Sequence, residues 1–361
     1  MSKEKVAIIG AGNGAHAIAG HLGMQGFPIR LYNKFEEEIA HIREQGGVTI
    51  EGAVQGFGPV ELTTTDPKPV IAWADVIMVV VPAFAHRFVA ETCAPCLRDG
   101  QIILLNPGRT GGALEFANVL QEQGVTAKIR IAEAQSLIYA CRISGPARAR
   151  ISGIKQQLGL AAFPAAETSA VLEMVNPLYP QFHAADSVLD ISFDNIGAVF
   201  HPGAVVLNAT AIEAGQADEF YGDMTPSVVQ FLEAIDRERL AVARAFGVEI
   251  DSAREWLLKT YKGVTGDTLY ERIQSNKAYY GIKAPKSLKV RHIIEDIPTG
   301  LVPIASLGKL AGVPTPACHA IIDIGGILVE RDFWAEGRTA ERLGLADMSV
   351  DEIREFVRVG A

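Results

Sequence analysis

Two segments in the second half of this chain hold side chains suited to proton and anion chemistry. The first is NIGAVFHP, Asn195 to Pro202, which places His201 on or just before a helix with apolar neighbours on both sides. A lone histidine in that setting is more often a hydrogen-bonded core residue than a catalyst, yet histidine is also the side chain that changes charge near neutrality. The second is RHIIEDIPTG, residues 291–300, which gathers an arginine, two carboxylates and a proline turn between helices. Taken alone, Arg291 and Asp296 also fit a local ion pair on the surface.

A third segment lies at the amino terminus, where the apolar run KVAII ends abruptly in Gly10-Ala11-Gly12-Asn13-Gly14-Ala15. The pattern is strand, glycine turn, helix. Gly10 permits the tight turn, Gly12 lets a pyrophosphate approach the backbone, and the small Ala15 lets the helix pack against the strand. The free N–H groups of the helix start, from Asn13 and Gly14 onward, then face the phosphates. The spacing is a weak signal by itself, and it gains weight from following a strand and opening a helix. A nicotinamide dinucleotide is the cofactor expected here. At the end of the next strand stand Asn33 and Lys34 rather than an acid, which favours NADP(H) over NAD(H) because a cation suits a 2′-phosphate. Glu36, Glu37 and Glu38 oppose this, since with them Lys34 could simply cap an exposed loop.

The elements that must position these residues follow from the apolar pattern. Strands are expected at residues 28–32, 76–81, 102–105 and 129–132, and helices at 16–24 and 35–45. Strands alternating with helices predict a Rossmann-type, doubly wound parallel sheet over the first half. From Ile191 onward apolar residues recur at helical spacing, which predicts an all-α second half. Pro177 and Pro180 mark the boundary, giving a dinucleotide-binding domain over 1–182 and a helical substrate domain over 183–361, with substrate in the cleft between them.

Bulk properties restrict the partners. The 361 residues exceed the roughly 250 to 300 at which one core stops growing, so two domains are natural. A net charge of -9 provides no basic field for nucleic acid or an anionic membrane. The longest apolar stretch, 76–84, is broken by Pro82 and is far short of the roughly 20 residues needed to span a bilayer. The start is too weakly apolar for a secretion signal, so a cytoplasmic protein is expected. Four cysteines make no disulfide framework, and Cys93 with Cys96 lack the second pair or histidines of a zinc site, so no metal is expected.

With these segments in view, the chain resembles the opine dehydrogenases, the NAD(P)H-dependent octopine, nopaline and carboxyethyl-norvaline dehydrogenase family. The shared segments are GAGNGAH at 10–16, VVVPAFAH at 79–86, LLNPG at 104–108, AEAQSLIYACR at 132–142, NIGAVFHP at 195–202, MTPSV at 224–228, GIKAP at 281–285 and EDIPTGLVP at 295–303. The glycine turn is common to many families, whereas FHP together with EDIPTGLVP is specific to this one. The resemblance implies reductive condensation of an amino acid with a pyruvate-like 2-oxo acid. It also implies that His201 is the acid/base, Asp296 its partner and Arg291 a binder of substrate carboxylate. Asn195 is a further candidate for the substrate side, and a homodimer is expected. The chemistry agrees. Imine formation needs a group titrating near neutrality, a carboxylate on the other ring nitrogen would fix its tautomer, and carboxylate substrates call for a guanidinium.

Two rivals share the dinucleotide half. Ketopantoate reductases and glycerol-3-phosphate dehydrogenases reduce a carbonyl without an amine and rely on a lysine in the first long helix after the Rossmann half, but this chain has no lysine from Asp190 to Ala217. A catalytically idle dinucleotide sensor would have no need of the histidine, aspartate and arginine.

Overall fold

The structure is a computed structural model that describes residues 3–360. It forms two compact units. One runs to Ile191 and takes in the carboxyl-terminal residues from Phe356; the other spans Ser192–Glu355.

The first unit is built on an eight-stranded sheet. Its strands are β1 (Val6–Ile9), β2 (Ile29–Tyr32), β5 (Leu62–Thr64), β6 (Val76–Val79), β7 (Ile102–Leu105), β8 (Arg130–Ala134), β11 (Leu158–Phe163) and β12 (Phe182–Ala184), in the order β12-β11-β8-β7-β6-β1-β2-β5. The six strands from β8 to β5 are parallel, and β11 runs antiparallel to β8 and parallel to β12. Every residue of β1, β6 and β7 is buried, because helices cover both faces of a parallel sheet and leave no polar side. Residues 35–45, expected as one helix, divide into a 3-10 turn at Glu36–Glu38 and a helix at Ala40–Gln45. The cause is local. The Asn33 amide donates to Phe35 O at 3.2 Å and to Glu38 Oε2 at 2.8 Å, and this tightens the first turn.

A second sheet went unread in the sequence. It comprises β3 (Gly47–Gly52), β4 (Gly56–Pro59), β9 (Tyr139–Gly145) and β10 (Arg148–Ile154) in the order β4-β3-β10-β9. The helix Asn13–Met24 lies against it. A Cβ on Gly23 would stand 2.7 Å from Pro59 O, and one on Gly58 would meet the Gly20 backbone, so only glycine permits this approach. The helix that opens the glycine turn is thereby fixed on both sides.

The second unit is helical, with one isolated bridge, Glu219 to Lys283, as its only strand-like pairing among the described residues. Its longest helix, Pro226–Ala245, begins with proline at the first position, and Thr225 Oγ accepts the Val228 N–H at 3.4 Å. Within it Arg239 is fully buried and fully engaged. It donates to Asp236 Oδ1, to Phe193 O at 2.7 Å and to Asp251 O at 2.7 Å, while Asp236 Oδ2 accepts Ala253 N–H at 2.8 Å. A buried ion pair is tolerable only when its hydrogen bonds are met in this way. Here it ties down the chain two residues before Asn195. No helix among the described residues is long and apolar enough to cross a membrane.

Candidate active site

In the first unit the glycine turn leaves β1 at Ile9. Gly10 has φ +118°, a conformation that L side chains rarely adopt, and its N–H bonds Tyr32 O at 2.8 Å, joining the ends of β1 and β2. At Gly12 an added Cβ would meet no protein atom within 4 Å, so the space over the turn is open. The helix Asn13–Met24 starts at the next residue and presents its unbonded first-turn N–H groups there. A glycine turn with open space above it and a helix start behind it fits a dinucleotide pyrophosphate.

The other residues named for the cofactor have distinct environments. Gly14 lies against the side chains of Val80 and Leu137, and Ala15 is fully buried. Asn13 turns its Oδ1 away to accept the Ile143 N–H of β9 at 2.8 Å. Asn33 is 9 % exposed and bonded to Glu38, and the Lys34 ammonium rests 4.6 Å from the Phe88 ring centroid. Sequence reasoning passed over His16 as a functional position. It is buried with Nδ1 3.2 Å from Gly12 O, and burial holds its pKa below the usual histidine value.

In the second unit His201 sits in the helix Ile196–Leu207 and Asp296 between the short helix Arg291–Ile294 and a π-helical turn, Ile297–Leu301. His201 Nδ1 and Asp296 Oδ2 are 2.8 Å apart although 95 residues separate them in the chain. The aspartate side chain is 1 % exposed and the histidine 24 %. No hydrogen bond from the described residues reaches His201 Nε2, so that nitrogen is available to a ligand. The π-turn closes with Leu301 N–H on Asp296 O at 3.1 Å, and such turns re-aim the residues around them.

The neighbouring acids take different partners. Glu295, four residues after Arg291 and only 3 % exposed, receives Nε of Arg291 at 2.9 Å and its Nη2 at 2.8 Å. The Arg291 side chain is otherwise 63 % exposed, so its remaining N–H groups can meet an anion. The ion pair that the sequence allowed between Arg291 and Asp296 thus forms between Arg291 and Glu295. Glu295 had not been singled out, although its i,i+4 spacing was the available signal. Asn195 precedes the His201 helix, is 7 % exposed, and its Nδ2 would lie 3.4 Å from a Cβ on Gly300. The chain from 195 to 201 and the chain from 291 to 300 are packed as one cluster, and it combines an imidazole ring, a buried carboxylate and an exposed guanidinium.

Comparison with known proteins adds an independent finding. Residues 5–150 match the family model described as NAD-dependent glycerol-3-phosphate dehydrogenase N-terminus, and residues 184–329 match NAD/NADP octopine/nopaline dehydrogenase, alpha-helical domain. The chain is 38 % identical over 359 residues to an opine dehydrogenase of Arthrobacter sp. (strain 1C), covering 99 % of each. Among solved structures, octopine dehydrogenase with NADH and L-arginine superposes with a TM-score of 0.82 at 23 % identity, covering 97 % of this chain and 98 % of that one. Yersinopine dehydrogenase with NADP+ bound gives 0.74 at 16 % identity, covering 99 % and 98 %. At those identities the two structures speak to fold alone.

Proposed function

This chain belongs to the opine dehydrogenase family, NAD(P)-dependent oxidoreductases acting on CH–NH groups, and from that premise we propose how its own residues share the reaction. An amino acid and a 2-oxo acid condense and are reduced to a secondary amine carrying two carboxylates, and the reverse is an oxidation. Gly10, Gly12 and the first turn after Asn13 would hold the nicotinamide cofactor, which would supply the hydride.

His201 carries the protons. Condensation of an ammonium with a carbonyl to give an iminium and water moves two protons from nitrogen to oxygen, and one more is taken up from solution once the carbon is reduced. Nε2 of His201 is the atom for these transfers, because Nδ1 is committed to Asp296 and Nε2 is open. Asp296 fixes the tautomer and the orientation of the ring. Arg291, braced by Glu295, binds a substrate carboxylate through its exposed N–H groups, and Asn195 orients the segment facing it. The observation that carries this reading is the 2.8 Å contact between His201 and Asp296. NADPH oxidation measured with an amino acid, a 2-oxo acid, and both together tests it. Oxidation that needs both supports an amine-forming enzyme, and oxidation with the oxo acid alone would make this a carbonyl reductase.

NADPH is the preferred cofactor in this reading, supported by the Lys34 ammonium at the end of β2; Glu38, held by the Asn33 amide, pulls toward NADH through the ribose hydroxyl. A cytoplasmic homodimer completes the reading. Four free cysteines support the reducing compartment, and the exposed apolar residues Ile324, Ile327 and Leu328 support burial against a second copy. Sedimentation of the purified protein tests the assembly.

A further inference from the structure

Asp296 holds the His201 ring at one atom only. The second side-chain torsion of histidine is broad, so a single hydrogen bond leaves the ring plane free to swing about that contact. Two other rings remove this freedom. His292 stands with its ring centroid 4.8 Å from that of His201 and its plane tilted by 59°. Phe220 lies edge-on to His201 at 6.0 Å and stacks on His292 at 5.0 Å with the planes 25° apart. Phe220 is itself braced edge-on by Tyr221 at 4.8 Å, and Tyr221 stacks on Tyr279 at 3.8 Å. Phe220, Tyr221 and Tyr279 are all buried, so the wall behind His292 is firm. His292 also precedes Asp296 by four residues, so one short segment delivers both the hydrogen-bond partner of His201 and a ring packed against it.

We propose that His292 is a positioning residue: its ring, backed by Phe220, sets the plane of His201 so that Nδ1 stays on Asp296 while Nε2 stays aimed at the reacting atoms. The contact is ring to ring, with the two imidazole centroids 4.8 Å apart. What the arrangement uses is therefore the flat shape of His292. A ring without nitrogens should do the same work, and a side chain of similar length without a ring should not. The proposal rests on His201 as the proton carrier assigned above.

The test compares His292→Ala, His292→Gln and His292→Phe in the full chain. Four quantities are read: kcat with both substrates, NADPH affinity, Tm, and the ring-nitrogen NMR signals of His201 in the substrate-free protein. His292→Ala and His292→Gln should lose about tenfold or more in kcat with NADPH affinity unchanged, because a misdirected base weakens proton transfer but leaves cofactor binding alone. In both, the His201 signals should broaden or show mixed tautomers. His292→Phe should recover kcat to within about threefold of the parent and a single tautomer, since packing of the ring is restored. The idea is overturned if His292→Gln keeps parental turnover and a single His201 tautomer, or if a folded His292→Phe is as slow as His292→Gln. If the larger phenyl ring does not fit and Tm collapses, the glutamine variant alone decides. Failure of the underlying reaction would appear as a parent protein without amine-dependent NADPH oxidation. Failure of the positioning role would appear as His201 signals indifferent to residue 292, which can be read with or without activity.

Discussion

His201 is a histidine among apolar neighbours, and a core residue would look the same in the chain. What separates the two possibilities is its surroundings: a buried carboxylate on one nitrogen and an open second nitrogen. If Nε2 moves the protons, His201→Ala should lower kcat by on the order of 10² to 10⁴-fold with cofactor affinity nearly intact, since general acid/base help is felt only on the way to the transition state. Asp296→Asn should act in the same direction and more mildly. Near-normal turnover in folded His201→Ala would return this residue to the core. Arg291 should behave differently, because it contacts a carboxylate in the ground state as well. Arg291→Ala should raise KM for one substrate more than it lowers kcat. Glu295→Gln should follow Arg291→Ala with a smaller rise, of about three- to tenfold, because an amide holds a guanidinium less firmly than a carboxylate does. A KM unaffected by either change would place the substrate carboxylate elsewhere.

The strand, turn and helix from Val6 to Met24 act as one element, and changes to it and to the end of the neighbouring strand have distinct consequences. Gly12 has room for a side chain as far as the protein is concerned, so Gly12→Val should fold. The added atoms would occupy the space needed by the pyrophosphate, and dinucleotide binding should vanish. Parental NADPH affinity in that variant, measured by calorimetry, would remove the site from this turn. At the end of β2 the competing charges of Lys34 and Glu38 can be separated. Lys34→Asp should shift the ratio of kcat/KM values toward NADH, and Glu38→Gln should shift it toward NADPH. If neither change alters the ratio, the 2′ position is read by other groups.

One buried and one half-buried histidine in the helix Asn13–Met24, His16 and His21, couple the whole molecule to pH. Burial lowers the pKa of His16 and of His21 from 6.5, and His21 Nδ1 lies 2.6 Å from the Tyr139 hydroxyl. A lowered folded value means that the unfolded chain binds these protons more readily. Their contribution to stability is present above the unfolded value of 6.5 and is lost as pH falls from there through the lowered folded values. Tm should therefore drop on acidification from about pH 8 to about pH 5, and the drop should be shallower in His16→Gln/His21→Gln. An equally steep drop in the double variant would assign the acid sensitivity to other groups.

Much of this molecule was legible in its chain. The parallel strands announced themselves as short, wholly apolar runs, because a sheet covered on both faces tolerates no polar side. The turn at Gly10 and Gly12 was readable because backbone conformation and close approach there demand glycine, a local requirement written in local residues. The second sheet was not readable: β3 and β9 each carry glycine and a charged residue, β4 is GFGP, and all three are defined by their pairing and by the helix that lies on them, contacts made far along the chain. The same holds in the active site. Residue types named His201, Arg291 and Asp296 but passed over Glu295, and family resemblance assigned Asp296 to His201. That Glu295 takes Arg291 while its neighbour Asp296 takes His201 was decided by a helix that ends at Ile294 and a π-turn that begins at Ile297, since this change of pitch sends two adjacent carboxylates to different partners.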